Sequence, residues 1–222
     1  MLRFLKEVKE GLNDIEELEE STALGSRTLH EIATKLEALE VLELDQKSLR
    51  LRAGGRVTVA RCALEAGCSM QELSGCLDWR EFEALAARAL DSCGFRTTKN
   101  LRLTKPRREL DVVGVDGDFG VAFDCKHWRR LPASQMEAAA RSQVERVRLL
   151  LMKGTFPQLE TVMPAILVLF RPGFEMASDL AIVPDDAIFD FFLRARVSAG
   201  EFVTLRRDGA GSGHGGRQRS LF

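Results

Sequence analysis

The sequence has no long hydrophobic run and no cysteine-pair motif. Its longest apolar segment, Met163–Phe170, is only as long as a strand, so we expect no membrane-spanning helix. Met1–Lys6 is followed at once by further charged residues, which predicts that there is no secretory signal peptide. The five cysteines are an odd number without CxxC spacing, which favours reduced thiols over disulfides or zinc ligands. These absences predict a soluble cytoplasmic protein.

The chain also has almost no net charge. Its 32 Lys and Arg residues are matched by 33 Asp and Glu residues, for a formal charge of −1. This excludes attraction of the whole molecule to nucleic acid, so any such attraction must be local. What the chain does have is ordinary: 222 residues with 45% hydrophobic and 29% charged content, typical of one or two globular domains.

The stretch Glu109–Arg130 is predicted to form two short strands joined by a tight turn. Leu110–Val115 is the first strand and Gly120–Lys126 the second, with Asp-Gly and Gly-Asp turn chemistry between them. A two-residue loop, whether Asp116-Gly117 or Gly117-Asp118, makes every odd residue before the turn oppose an even residue after it. Directly opposed residues share a face of the sheet.

This register predicts that Asp111, Asp124 and Lys126 lie on one face. The other face is then apolar and carries Leu110, Val112, Val121, Phe123 and Cys125. Two close carboxylates repel unless a cation lies between them, and carboxylate oxygens suit a hard ion such as Mg²⁺, with Mn²⁺ as a substitute. The backbone carbonyl of Cys125 is a further candidate ligand. Lys126 is a candidate to orient a metal-bound water or to stabilise a phosphate.

A helix capped by Asp78 is predicted to run to Cys93. Its buried stripe contains Phe82, and Glu81 and Glu83 lie about 100° to either side of Phe82 around the helix. Periodicity alone therefore does not choose between these two glutamates.

The ordered set of an acid on a helix, Asp111 on a strand, Asp124-Cys125-Lys126 on the next strand and then a helix resembles the D…(D/E)xK signature of restriction-endonuclease-like nucleases. It is most similar to the Mrr-type restriction and archaeal repair nucleases, including Holliday-junction resolvases. The resemblance covers about Asp78–Ala195 and favours Glu83, because Trp79–Leu85 is similar to the "FE" helix of that family. It implies a Mg²⁺-dependent endodeoxyribonuclease, with Glu83, Asp111, Asp124 and Lys126 as catalytic residues.

The remaining segments of the second half predict a mixed α/β sheet covered on both faces by helices. The predicted elements are a helix at Pro132–Lys153, strands at Met163–Phe170 and Leu180–Val183, and a last helix beginning at Asp185 or Asp186. Gln143, on the long helix, resembles a polar residue that related nucleases direct toward the site.

The N-terminal segment predicts helices at Leu2–Leu12, Ile15–Ser21 and Ser26–Ala38, followed by a hairpin of Val41–Leu44 and Ser48–Arg52. This order resembles a winged helix-turn-helix. The resemblance places Arg27, Thr28 and Lys35 on a DNA-recognition helix. The alternative is a module that binds protein or dimerises, since the acidic stretch Glu10–Glu20 would repel phosphate.

Basic residues flank the predicted metal site on both sides. They are Lys99, Arg102, Lys105, Arg107, Arg108, Arg129 and Arg130. Such a rim could hold a DNA backbone and offset the repulsion from the acids. His127, next to Lys126, is interpreted as a structural residue or phosphate contact, with general acid catalysis as the alternative.

The predicted domains are a winged helix-turn-helix (1–55), a helical linker (56–77), a nuclease core (78–205) and a flexible tail (206–222). At the end of the tail, Gln218, Leu221 and Phe222 resemble the short peptides that dock onto the PCNA sliding clamp. That resemblance favours a role in repair. A homodimer is expected because duplex cleavage needs two sites. The competing hypothesis is an inactive DNA-binding regulator or adaptor on a nuclease fold.

Overall fold

The first half of the chain is mostly helical. The computed structural model describes residues 1–126, 133–168, 175–184 and 187–207. In chain order the elements of this half are α1 (Leu2–Glu7), β1 (Gly11–Asp14), α2 (Ile15–Thr22), α3 (Ser26–Ala38), β2 (Leu42–Leu44), β3 (Ser48–Leu51), α4 (Gly55–Glu65) and α5 (Met70–Ser74).

The first helix is shorter than its apolar spacing predicts. Helix α1 ends at Glu7, and the chain then turns through Gly11, whose φ of +96° favours glycine. The Asn13 side chain closes this turn: its Oδ1 accepts from the Lys9 N–H at 2.9 Å and its Nδ2 donates to the Lys9 carbonyl at 2.8 Å. The prediction of a helix to Leu12 is therefore wrong, and Leu12 is 64% exposed on a strand.

The rest of this unit agrees with the sequence prediction. Asp14 caps α2 by accepting from the Glu17 N–H at 3.0 Å, and α3 has the predicted bounds. The predicted hairpin is β2 and β3, which pair in an antiparallel sheet of order β1-β3-β2. Linker helix α5 starts at a capping box formed by Ser69 and Glu72.

The second half forms a larger sheet with helices on both faces. Its elements are α6 (Trp79–Ser92), β4 (Arg96–Leu103), β5 (Arg108–Asp116), β6 (Phe119–Lys126), α7 (Ala133–Lys153), β7 (Thr161–Val168), β8 (Glu175–Ala177), β9 (Leu180–Pro184), α8 (Ile188–Arg194), a 3-10 helix (Val197–Gly200) and β10 (Leu205–Arg206).

The larger sheet is mixed. Its order is β4-β5-β6-β7-β9-β8, with β10 also paired to β7. Strands β4, β5 and β6 run antiparallel, whereas β6, β7 and β9 run parallel. One face packs on α7 and the other on α6 and α8. The predicted fold class, a mixed-sheet α/β core preceded by a mostly helical unit with a wing hairpin, is confirmed.

The turn between β5 and β6 settles the register of the central hairpin. Asp116 pairs with Phe119, so the two-residue loop is Gly117-Asp118, one of the two predicted alternatives. Val112 pairs with Phe123, and both pack on the α6 side as parity requires. Strands β6 and β7 are joined through α7 and run parallel, so their carboxyl ends meet at one edge of the sheet.

Leu110 is an exception to the predicted faces. It packs on the α7 side with Leu103 rather than with Val112. The alternation breaks where Asn100 of β4 adopts a left-handed φ of +51°, between the pairs Lys99–Val112 and Leu101–Leu110. The register is the same on both sides of Asn100, so no residue is inserted there, and the break in alternation coincides with this local left-handed turn of the backbone.

The folded chain continues past the predicted start of the tail at residue 206. Arg206, assigned to the tail from the sequence, lies in β10, and Arg207 donates to the carbonyls of Phe156 and Pro157 at 2.7 and 2.9 Å. The predictions for His127, Arg129, Arg130, Gln218, Leu221 and Phe222 lie outside the described residues. In the described part of the chain, no helix has the length and apolar character needed to cross a bilayer.

Candidate active site

The predicted acidic residues meet at one edge of the larger sheet. Asp111 lies near the start of β5, and Asp124 and Lys126 lie at the end of β6. Because these two strands are antiparallel, the start of one is beside the end of the other. The carboxyl end of β7 reaches the same edge, where Lys126 pairs in register with Val168. In α/β sheets, ligands bind at such carboxyl ends.

The two aspartates are in contact. The carboxyl groups of Asp111 and Asp124 lie within hydrogen-bonding reach of each other, and Asp111 Oδ2 also accepts from the Cys125 N–H at 2.8 Å. Burial, followed by the negative charge of Asp124, raises the pKa of Asp111 to about 6. The geometry thus brings together the carboxylates that the hairpin register predicts on one face.

Glu81 and Glu83, which periodicity alone does not distinguish, have different surroundings in the structure. Glu81 lies in the first turn of α6 and accepts from the Asp78 N–H at 2.9 Å in a capping box; its Oε1 accepts from Arg56 Nε at 2.6 Å. Glu83 is only 6% exposed, and its pKa is raised to about 7 by burial and then by repulsion from Asp111. Glu83, and not Glu81, therefore shares the field of the aspartate pair.

Two cations hold Asp124, and sequence reasoning missed one of them. Lys126 Nζ lies 2.8 Å from Asp124 Oδ2, and Arg146 Nη1 of α7 lies 3.1 Å from Asp124 Oδ1. The Asp124 side chain is 3% exposed, so both ion pairs are shielded from water. The available signal was the position of Arg146, which borders the buried stripe of α7 between Gln143 and Val147.

Gln143 positions that part of α7 against β6. It is fully buried, and its Nε2 donates to the carbonyl of Ala122 at 2.8 Å. Its Oε1 is buried without a hydrogen-bond partner among the described residues. Since residues three apart on a helix are neighbours, this anchor brings Arg146 over Asp124, two residues beyond Ala122 on the same face of β6.

The donor set suits a hard cation. Glu83, Asp111 and Asp124 supply carboxylate oxygens and Cys125 supplies its backbone carbonyl, the ligands that Mg²⁺ prefers. Within the described ranges, no three His, Cys, Asp or Glu side chains are already arranged as a metal-binding group. The raised pKa values of Glu83 and Asp111 nevertheless mark negative charge that is not fully compensated, which a divalent ion would relieve.

The thiol of Cys125, unlike its backbone carbonyl, is not suited to bind a metal ion. Cys125 is half-buried beside the acidic residues, and loss of solvent around the thiol, followed by the charges of Asp111 and Glu83, raises the pKa of this thiol well above its ordinary value. A protonated thiol is a poor metal ligand. Cys125 therefore fits the predicted site only through its carbonyl.

The described part of the basic rim lies at the same edge of the sheet. Arg107 and Arg108 are exposed, and the β5–β6 register places Arg108 beyond Asp111, past the end of β6. Lys99 and Lys105 are also exposed. Arg102 instead pairs with Glu109 at 3.4 Å. The predicted basic rim is therefore interrupted at Arg102, whose charge is paired with Glu109.

The residues predicted on the recognition helix are on its surface. Arg27, Thr28 and Lys35 are all exposed on α3. Arg27 pairs with Glu31 at 3.0 Å, and Glu19 of α2 lines the same groove between α2, α3 and the wing. This mixture of charges leaves both predicted partners, DNA and protein, open.

Comparisons with known proteins find only distant likeness. No protein-family model and no curated protein matches this chain. Among solved structures, protein VC1899 from Vibrio cholerae is 15% identical over 89% of this chain and 49% of its own, with a TM-score of 0.38. The restriction endonuclease FokI bound to DNA is 12% identical over 86% of this chain and 43% of its own, with a TM-score of 0.35. This chain spans less than half of either, and likeness at this level does not establish a shared fold or function.

Proposed function

We propose that this chain is a metal-dependent endodeoxyribonuclease that hydrolyses phosphodiester bonds in DNA, with Mg²⁺ as its ion and Mn²⁺ as a substitute. One observation carries the proposal: Asp111 lies in the electrostatic field of both Glu83 and Asp124, and Lys126 pairs with Asp124, at the edge where parallel strands end. Buried like charges destabilise a fold unless a ligand offsets them, and strongly perturbed carboxyl groups cluster at functional sites.

Each residue has a distinct role in this proposal. The three carboxylates and the Cys125 carbonyl would hold the ion, which when bound lowers the pKa of water and polarises a phosphate. Lys126 keeps its ammonium 2.8 Å from Asp124 and would offset the negative charge that develops on the phosphate in the transition state. Arg107 and Arg108, exposed at the same edge, would contact the DNA backbone and fix its register.

The acids must also lose their protons before they can serve as ligands. Glu83 has a pKa of about 7 and Asp111 of about 6, so both are partly protonated below neutral pH. Metal affinity should therefore rise between about pH 6 and pH 8, with release of protons.

Restriction, repair and Holliday-junction resolution are three uses of the same chemistry. The winged helix-turn-helix would present the substrate or bind a protein, a homodimer would cut both strands, and the tail would dock onto PCNA. These features stay predictions. A panel of duplex, flap, splayed and four-way DNA with Mg²⁺ or Mn²⁺ distinguishes the uses, because each substrate fits one of them.

The decisive experiment compares wild type with Lys126→Ala and Glu83→Gln on that panel and on supercoiled plasmid. We expect wild-type cutting that EDTA abolishes and that both variants lose. Glu81→Gln is the matched control, since Glu81 lies on the same helix but caps it and pairs with Arg56. Equal loss of cutting in Glu81→Gln, with the fold intact, would contradict the assignment of Glu83.

A different observation favours a second candidate function, a DNA-binding protein without nuclease activity. Both oxygens of Asp124 are already ion-paired, to Lys126 and Arg146. A carboxylate neutralised in this way suits a DNA-binding regulator or adaptor that has no catalytic activity. DNA binding by wild type, with no nicking of any substrate in Mg²⁺ or Mn²⁺, would favour this function over the nuclease.

A further inference from the structure

Arg146 is the charged residue at the candidate site that the proposed hydrolysis does not use. Its side chain is 22% exposed, and its Nη1 lies 3.1 Å from Asp124 Oδ1. Within the described part of the chain it makes no other ion pair or hydrogen bond. A guanidinium has five N–H donors, so most of its donor capacity is not used by protein groups described here.

The position of Arg146 is built into the fold. The bond from Gln143 Nε2 to the Ala122 carbonyl and the burial of Val147 hold this turn of α7 against the sheet. The helix backbone is therefore fixed, whereas the long arginine side chain can rotate about its own bonds. Arg146 can change partner without any change in the fold.

The two cations on Asp124 also create a competition. Lys126 takes Oδ2 and Arg146 takes Oδ1, so a divalent ion cannot reach this carboxylate without displacing or repelling at least one of them. Lys126 extends from the same strand as Asp124, two residues further on, and remains nearby in either state. Arg146 comes from a different element, and its positive charge adds repulsion to any ion bound between Asp111 and Asp124.

We propose that Arg146 exchanges partners at this site: it holds Asp124 while no metal is bound, releases Oδ1 to a divalent ion, and then pairs with a DNA phosphate oxygen. This inference rests on the proposed nuclease function. Arginine is suited to the exchange because its planar fork matches carboxylate and phosphate alike. The phosphate that meets Lys126 must lie beside Asp124, within reach of the released guanidinium.

The first test measures metal binding without DNA. Titration calorimetry with Mn²⁺ compares wild type, Arg146→Gln and Arg146→Lys. Removing a competing positive charge should tighten Mn²⁺ binding by about threefold to thirtyfold in Arg146→Gln, while Arg146→Lys, which keeps the charge, stays near wild type. Arg148→Gln is the matched control, because it removes an exposed arginine of the same helix that pairs with Glu145, and it should change nothing.

The second test measures DNA binding in Ca²⁺, by fluorescence anisotropy of a labelled duplex. Arg146→Gln should bind DNA about tenfold more weakly despite holding metal more tightly, because a charge-assisted phosphate contact is lost. This opposite movement of metal and DNA affinity is not expected of a residue that only supports the fold. Circular dichroism and thermal melting check that each variant is folded.

The outcomes separate this inference from the proposed function. If wild type binds Mn²⁺ and folded Arg146→Gln binds it equally or more weakly, Arg146 only holds Asp124 in place and the exchange is wrong. Unchanged DNA affinity in Arg146→Gln likewise overturns the transfer to phosphate. If neither protein binds Mn²⁺ at all, the nuclease proposal itself fails, and the exchange fails with it.

Discussion

Two buried charge clusters lie on either side of the first turns of α6, and they differ in balance. In the first, Arg56 pairs with Glu81 at 2.6 Å and donates to the carbonyls of Leu5 and Cys76, both at 2.7 Å. Its one positive and one negative charge match, and the side chains are 16% and 15% exposed. This cluster joins α1, α4 and α6, so the linker helices belong to the core.

The second cluster is not balanced in this way. Asp111 lies in the field of both Glu83 and Asp124, and the pKa values of Glu83 and Asp111 are raised to about 7 and about 6. Lys126 and Arg146 both form ion pairs with Asp124. Burial of charge alone therefore does not mark a functional site. Charge that stays uncompensated in the folded protein does.

The largest expected effect is the loss of DNA nicking when one acid of the second cluster is removed. Asp111→Asn removes one negative charge with little change in shape, and DNA nicking should fall by about a thousandfold or more because a metal ligand is lost. The control is Asp116→Asn, at the other end of the same strand, where Asp116 makes an exposed pair with Arg196. Undiminished nicking by Asp111→Asn in plasmid assays would remove Asp111 from the metal site.

Breaking the first cluster should change stability rather than chemistry. Arg56→Met leaves Glu81 buried without its partner, which costs about 3–5 kcal/mol of unfolding free energy. Urea denaturation measures this loss, and the double variant with Glu81→Gln should recover part of it. A loss below about 1 kcal/mol would show that the Arg56–Glu81 cluster contributes little to the fold.

The pH dependence of stability sharpens the contrast between the two clusters. Folding raises the pKa of Glu83 from 4.5 to about 7, so the folded state binds more protons than the unfolded state in that range. The free energy of unfolding of the protein therefore falls as pH rises from 4.5 to about 7, because Glu83 becomes charged in a buried place. Above that range Glu83 is ionised in both states, and its destabilising effect no longer changes with pH.

Without divalent ions, Glu83→Gln should consequently melt about 2–4 °C above wild type at pH 8 and close to it at pH 4.5. Glu81→Gln should melt lower than wild type at pH 8, because it weakens a cap and an ion pair. Calorimetric melting curves in EDTA compare the two variants. A Glu83→Gln variant that is less stable than wild type at pH 8 would mean that this carboxylate is well compensated in the fold.

The smallest expected effect lies on α3, away from either buried cluster. Arg27→Gln breaks an exposed pair with Glu31 and should change stability by less than about 0.5 kcal/mol. If α3 contacts the DNA backbone, one phosphate contact is lost, and the slope of log affinity against log salt concentration should decrease in magnitude by about 1. Binding measured at several salt concentrations checks this. An unchanged slope would favour the protein-binding alternative for the winged unit.

Much of the candidate site could be predicted because it follows from local rules. A two-residue turn sets the pairing of β5 and β6, and pairing decides which side chains share a face, so Asp111 and Asp124 meet. Capping chemistry likewise located the start of α6 at Asp78. The failure of the predicted helix at Leu12 has the opposite cause: apolar spacing suited a helix, but a glycine turn and strand pairing prevailed.

Neighbours along the chain were enough to predict most of the helices and strands, a two-residue turn in the central hairpin, and the pair of facing aspartates. Tertiary structure alone chose Glu83 over Glu81, brought Arg146 of α7 to Asp124, and turned Leu110 to the far face. Each of these depends on which surfaces pack together across distant parts of the chain. Burial and partners decide the charge state of a side chain, and neither can be read from its own segment.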